Sequence, residues 1–168
     1  MIKEVNQIEN SILKSIGLKI SDMKSDNECV EYYGLNFQIR NLNIKFRKAK
    51  ITPKKTGQFV TLWKRNVIGK TEPFNSNDNF DFYIIATEQE NKFGFFLFPK
   101  QILIEKQILT NNSKEGKRGF RIYADWDIPN NKQAEKTQKW QTEYFIDFTN
   151  DENKSIEKFE LIITHNTK

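Results

Sequence analysis

Val5, Ile8, Ile12 and Ile16 recur at helical spacing and Gly17 follows as a left-handed stop, which predicts an amphipathic helix over residues 4–17. A polar stretch, Ser21 to Glu28, leads into a strand at Tyr33 to Ile39. Leu42, Ile44 and Phe46 then alternate with Asn43, Lys45 and Arg47, the period of a strand with one wet face. The apolar phase slips to Ala49 and Ile51, so a bulge is expected near Lys48. Thr52 to Gly57 reads as a turn, because Pro53 sets one φ angle and Gly57 permits a positive one. Gln58 to Arg65 returns, giving an expected basic β-hairpin from Leu42 to Arg65.

Two aromatic strands, Asp81 to Ala86 and Phe93 to Phe98, flank the polar turn Thr87 to Lys92. Both are apolar on both faces, as central strands of a covered sheet are. Pro99 fits the first turn of a helix reaching about Leu109, and Arg118 to Ala124 reads as another strand. Asn131 to about Phe148 has the strongest helical pattern, with Trp140, Tyr144 and Phe148 four apart, and Phe159 to Thr164 reads as a closing strand. Repeats and linkers are missing from the pattern. The order of elements predicts an α+β fold in a single domain over residues 1–168, a mixed and mostly antiparallel sheet flanked by helices.

The length of 168 residues supports a core without disulfides, and the 14 Phe, 5 Tyr and 3 Trp supply apolar area to fill it. Cys29 is the only cysteine, which leaves no intramolecular disulfide and no thiolate metal cluster. The N-terminus lacks an apolar signal core and no apolar run is long enough to span a bilayer, so a cytoplasmic protein without membrane contact is expected.

Net charge is +5, weak evidence by itself for a polyanionic partner. Its distribution says more. No acidic residue occurs between Glu31 and Glu72, whereas that window holds ten Lys and Arg. A window of +10 within a total of +5 leaves −5 for the remainder of the chain.

If Val60 and Leu62 of the hairpin face the core, Phe59, Thr61, Trp63 and Arg65 share the other face, with Lys45 and Arg47 across the ladder. Cations interleaved with aromatics neutralise phosphates and stack bases. The alternative is a solvated sheet face with Trp63 and Phe59 packed beneath a helix. A second basic run is Gly116-Lys117-Arg118-Gly119-Phe120-Arg121, continuing to Trp126, Lys132 and Lys136. Arg121 shares a strand face with Tyr123, and a buried arginine needs a partner, for which Asp125 or Asp127 could serve. Lys132, Lys136 and Lys139 on the long helix fit an ordinary solvated face.

The same segment carries a resemblance. Gly116 to Tyr123, Trp126-Asp127, Lys132-Gln133-Ala134 and Lys136-Thr137-Gln138-Lys139-Trp140-Gln141 with Tyr144-Phe145 are similar to the MepB family. So are Phe46 to Val60, Trp63-Lys64-Arg65, Pro73-Phe74 and Phe98-Pro99-Lys100. The likeness spans nearly the whole chain. It implies a bacterial cytosolic protein, linked in some members to multidrug efflux operons, and brings no settled biochemical activity with it.

Enzyme readings find little support. His165 is the only histidine, so histidine-based triads and multi-histidine metal sites are out of reach. Cys29 lies between Glu28 and Glu31, which argues for a structural thiol. Asp81 followed by Glu90-Asn91-Lys92 has the order of a metal-dependent nuclease of the restriction-endonuclease type. A strand between them separates the carboxylates by on the order of 20 Å, too far to share one cation. In an antiparallel pair, Asp81 instead falls beside Phe98-Pro99-Lys100.

The reading favoured is therefore a nucleic-acid-binding protein, with DNA as the first partner. The candidate contacts are Lys50, Lys54, Lys55, Lys64 and Arg65, then Arg121 and Lys132, with Trp63 as a stacking platform. No cofactor, metal or catalytic residue is assigned. A magnesium-dependent nuclease and a module for an acidic protein partner stand as alternatives.

Overall fold

The fold is that of a computed structural model, which describes residues 2–149 and 151–167. In chain order the elements are α1 (Lys3–Ile8), β1 (Ile20–Ser25), β2 (Leu35–Ile39), β3 (Leu42–Lys48), β4 (Lys50–Ile51), β5 (Gln58–Thr61), β6 (Trp63–Arg65) and β7 (Thr71–Pro73). They continue with β8 (Phe82–Gln89), β9 (Lys92–Pro99), α2 (Lys100–Glu105), β10 (Gly119–Ile122), α3 (Lys132–Gln141), β11 (Phe145–Asp147) and α4 (Glu152–Asn166). This is the expected α+β class.

A six-stranded sheet in the order β1-β2-β3-β8-β9-β11 forms the centre. Its pairs are antiparallel except β3 with β8, which run parallel with Ile44 opposite Phe82 and Lys48 opposite Ala86. β8 and β9 are buried on both faces, as their unbroken apolar runs require. Phe82, Ile84 and Ala86 point to one face, where Val5, Ile8 and Ile12 from the first helix and Phe159 and Ile162 from α4 cover them. Tyr83 and Ile85 point to the other, beneath a small sheet of order β10-β5-β4. The first helix runs from Lys3 to Ile16, passing from α through a π turn at Glu9–Leu13 to a 3₁₀ turn that Gly17 ends at φ +71°.

Several elements differ from the sequence expectation. The hairpin from Leu42 to Arg65 is split between sheets: β3 enters the central sheet, and the slip near Lys48 is where the chain leaves it. Only β4 faces β5, with Lys50 opposite Phe59 and Ile51 opposite Gln58. The helix after Pro99 is a single six-residue segment, α2. Ser21 to Ser25, read as a connection, belongs to an edge strand, where Ile20 and Met23 alone pack on the core and leave little apolar period.

The helix read to Phe148 stops at Gln141, and a 3₁₀ turn hands over to β11. Phe145 faces one core and Ile146 the other, so this dipeptide completes the sheet edge against Phe96 and Phe95. Gly94 permits that approach, since a Cβ there would stand 2.7 Å from the Ile146 carbonyl oxygen. The strand read at Phe159 to Thr164 is the second half of α4. Asp151 caps that helix by accepting from the Lys154 amide at 3.2 Å, and Ser155, Phe159 and Ile162 lie inward at helical spacing. Tertiary packing overrides the β-branched run, since the helix lays Phe159 and Ile162 on the core.

Candidate functional site

β10 pairs with β5 in a register that sets Phe120 opposite Val60 and Arg121 opposite Phe59. α3 packs alongside, capped by Asn131, whose side chain accepts from the Ala134 amide at 2.9 Å. Two glutamines fasten it. Gln141, fully buried, accepts from the Tyr123 amide at 2.8 Å and donates to the Arg121 carbonyl at 3.0 Å. Gln138 donates to the carbonyls of Ala124 and Asp127 at 2.7 and 2.8 Å. The Lys-Thr-Gln-Lys-Trp-Gln run thus satisfies the backbone at the exit of β10, which a buried amide does well.

Between β10 and α3 opens a cleft of about 410 Å³ whose lining includes Lys106, Lys117, Arg121, Asn131, Gln133 and Trp140. No carboxylate lines it. Trp140 packs on Phe98 with ring centroids 5.3 Å apart, and the Lys106 ammonium stands 5.5 Å from its ring. Arg121 donates to the Thr56 and Gly57 carbonyls and to the Thr52 hydroxyl, so neither Asp125 nor Asp127 is its ion-pair partner. Asp127 accepts from the Ala124 amide instead, and burial raises its pKa. Carbonyl dipoles hold the guanidinium in place, and Asp127, whose carboxylate Arg121 favours through space, offsets part of its charge without pairing to it.

The other sequence candidates do not gather on one concave face. Lys50 is exposed with its ammonium 4.6 Å from the Tyr32 ring. Lys54, at φ +64°, and Lys55 project from the β4–β5 turn, and Lys55 lines a separate shallow cleft with Trp126 and Ile128. Trp63 is half-buried, with the Arg65 guanidinium 5.2 Å from its ring, and both face a third cleft beside Glu28 and Glu31. Lys64 is turned to Asp78 at 2.7 Å and Glu72 at 3.6 Å, which neutralises it. Lys132 is exposed at the first residue of α3. Lys54, Lys55, Lys64 and Arg65 therefore do not line one face with Arg121 or Lys132, and of these candidates only Arg121 lines the cleft between β10 and α3. Lys117 belongs to the second basic run of the sequence but is absent from the candidate contacts, whereas Lys106, next to Glu105 and outside the acid-free window, escapes the sequence reading altogether.

On β3 the expected wet face is lost at Arg47 and is only partly exposed at Asn43 and Lys45. Arg47 is fully buried, paired through Nη2 with Asp26 and donating from Nη1 to the Phe46 carbonyl at 2.7 Å. Lys45 lies beside it, donating to Asn36 at 3.0 Å. Burial, then the neighbouring Arg47, lowers its pKa to about 8 against the pull of Asp26 and Asp78. These cations belong to the interior.

The nuclease pattern dissolves in the same way. Asp81 accepts from the Asn43 amide at 2.7 Å at the start of β8, while Glu90 sits in the turn at the far end. Lys100 lies beside Asp81, its amide bonded to the Asp81 carbonyl, and burial lowers its pKa. Phe98, buried opposite Tyr83, stands where the second carboxylate of a Glu-x-Lys pattern ending at Lys100 would have to be. Among the described residues no three His, Cys, Asp or Glu are grouped to hold a metal ion. No helix among them is long and apolar enough to cross a membrane.

Comparison with known proteins places these features. No curated protein matches the chain. A crystal structure of MepB is 32% identical, matches with a TM-score of 0.79, and covers 90% of this chain and 100% of its own. A bacterial homing endonuclease is 14% identical over 82% of this chain and 85% of its own, with a TM-score of 0.47, a likeness that carries no argument. The MepB-like family model matches residues 26–147, from the partner of Arg47 to the end of β11. On these matches the chain belongs to the MepB-like family.

Proposed function

We propose that the protein binds nucleic acid, with DNA as its first partner, and does so in the cytoplasm. One observation carries the reading: Lys106, Lys117 and Arg121 converge, without a carboxylate, on a cleft that also offers Trp140 and the amides of Asn131 and Gln133. Cations in such a place draw phosphates, while an aromatic and side-chain amides suit bases. Lys132 at the head of α3 extends the positive surface, with Lys54 and Lys55 on the turn that Arg121 holds. Lys50, Trp63 and Arg65 lie on the neighbouring faces and would act as flanking contacts. Lys64, ion-paired twice, would add little.

The test is fluorescence anisotropy with labelled single- and double-stranded DNA and RNA, titrated with salt. Binding that weakens with a log–log slope of about −3 to −5 corresponds to a handful of phosphates. The K106E/K117E variant, altered at residues lining the cleft, should flatten that slope by about 2. No binding at low salt, or a variant that binds like the parent, would refute this cleft as the site. Incubation with magnesium, read on a gel, checks for cleavage independently.

A further inference from the structure

β6 and β7 form a two-stranded ribbon separate from both sheets, with Trp63 opposite Pro73 and Arg65 opposite Thr71. Its tip, Asn66 to Gly69, is a fixed turn. The Gly69 amide donates to the Asn66 carbonyl at 2.9 Å, and the Asn66 side chain accepts from the amides of Ile68 and Lys70 at 3.1 and 3.0 Å. Gly69 closes it at φ +82°, the left-handed position that follows such a turn in a hairpin. What this turn presents is apolar: Val67 is 104% exposed and Ile68 72%. Turn residues are most often polar, and two adjacent bare aliphatic side chains at a hairpin tip leave apolar surface that a partner could cover.

The surroundings limit what could cover them. Arg65 and Lys70 flank the tip, both exposed, and no acidic residue lies between Trp63 and Thr71 in the chain. At the base the Glu28 carboxylate accepts from the Arg65 amide at 3.1 Å, and the Arg65 guanidinium donates to the Gly69 carbonyl at 3.1 Å. Arg118 braces the base of the ribbon, donating from Nη2 to the Thr71 carbonyl at 3.0 Å. Arg118 belongs to the run leading into β10, the strand that carries Arg121 into the cleft. The ribbon is thus an arm rooted beside the proposed nucleic-acid site.

From this juxtaposition we propose that the Val67-Ile68 tip is an apolar wedge that enters a base step of duplex DNA, while Arg65 and Lys70 hold the phosphates on either side. The proposal rests on the nucleic-acid reading above and adds what is done to the duplex. Aliphatic wedges between base pairs unstack the step and bend the helix, and the bend brings more backbone onto the cationic surface. A membrane contact would call for a broad apolar face with interfacial aromatics rather than two side chains on a narrow turn.

The experiment uses the whole protein and a duplex that carries 2-aminopurine internally and a donor–acceptor dye pair at its ends. Wild-type protein should raise the 2-aminopurine fluorescence and shorten the end-to-end distance. The V67S/I68S variant alters only exposed side chains and should melt like the parent. It should keep the salt slope, lose both signals and bind about tenfold more weakly. If wild-type protein binds without either signal, or the variant gives both, the wedge is wrong and the nucleic-acid reading survives. If neither protein binds DNA, the parent reading falls and the wedge with it. If wild type sediments with phosphatidylglycerol vesicles and the variant does not, while DNA signals are equal, the tip serves a membrane and the proposal is overturned.

Discussion

Arg121 on β10 donates from Nη2 to the carbonyl oxygens of both Thr56 and Gly57, each at 3.0 Å, so one guanidinium closes the turn between β4 and β5. Nε repeats the bond to Thr56 at 3.2 Å, and the Thr52 hydroxyl accepts from Nη2 at 3.0 Å. Replacing Arg121 with Ala should lower stability by about 1–3 kcal/mol in urea unfolding, because those acceptors lose a charged donor. Lysine restores the charge but not the planar fork that reaches several acceptors. R121K should therefore recover DNA affinity further than it recovers stability, and equal recovery of both would contradict the dual role.

Gly57 is held at φ +78°, and a Cβ there would meet the Ile122 carbonyl oxygen at 2.6 Å and the Tyr123 ring at 2.7 Å. Strain and overlap act together. G57A should destabilise by about 2 kcal/mol or more, measured from the urea midpoint at unchanged m value.

Asp26 and Arg47 form a pair in which Arg47 is fully buried and its Nε, also buried, has no partner. Removing only the carboxylate leaves an uncompensated interior charge. D26A should cost about 3–5 kcal/mol, and D26A/R47M should be more stable than D26A alone. A double variant as unstable as D26A would mean that the charge is not the cause.

Lys45 has a folded pKa of about 8, below its ordinary value of 10.5, chiefly because it is buried. Below pH 8 both folded and unfolded chains hold the proton and the folded state bears the buried charge. As pH rises from 8 the folded chain releases the proton while the unfolded chain still binds it, so stability increases with pH in that window. Between pH 8 and 10 the wild type should gain on the order of 2 kcal/mol relative to K45M. Parallel stability curves for the two proteins would count against it. Tyr83, whose pKa burial raises, contributes the opposite slope only above its ordinary value of 10.0 and does so in both proteins.

Family membership, the α+β class, the doubly buried β8–β9 pair and the turn closed by Gly57 were legible in the sequence. Family and class rest on motifs and an element order spread along the chain, the strand pair and the turn on signals within a few residues: an apolar run, a period, a glycine where φ is positive. Tertiary structure decided the rest. Phe145-Ile146 and the Ile162-Ile163-Thr164 run are both apolar and β-prone, yet one pairs with β9 at a sheet edge and the other packs Phe159 and Ile162 on the core as a helix, a choice set by tertiary packing rather than by local preference. The acid-free window likewise counted charges without their partners. Asp26 lies 21 residues from Arg47, Asp78 lies 14 from Lys64, and each removes a cation from the surface that the window promised. Lys106 and Lys117 reach the Arg121 cleft from loops beside acidic neighbours, so their convergence exists only once β10 and α3 are packed. Local composition sets which backbone conformations are cheap, whereas the electrostatics of a surface depend on pairs brought together by the whole chain.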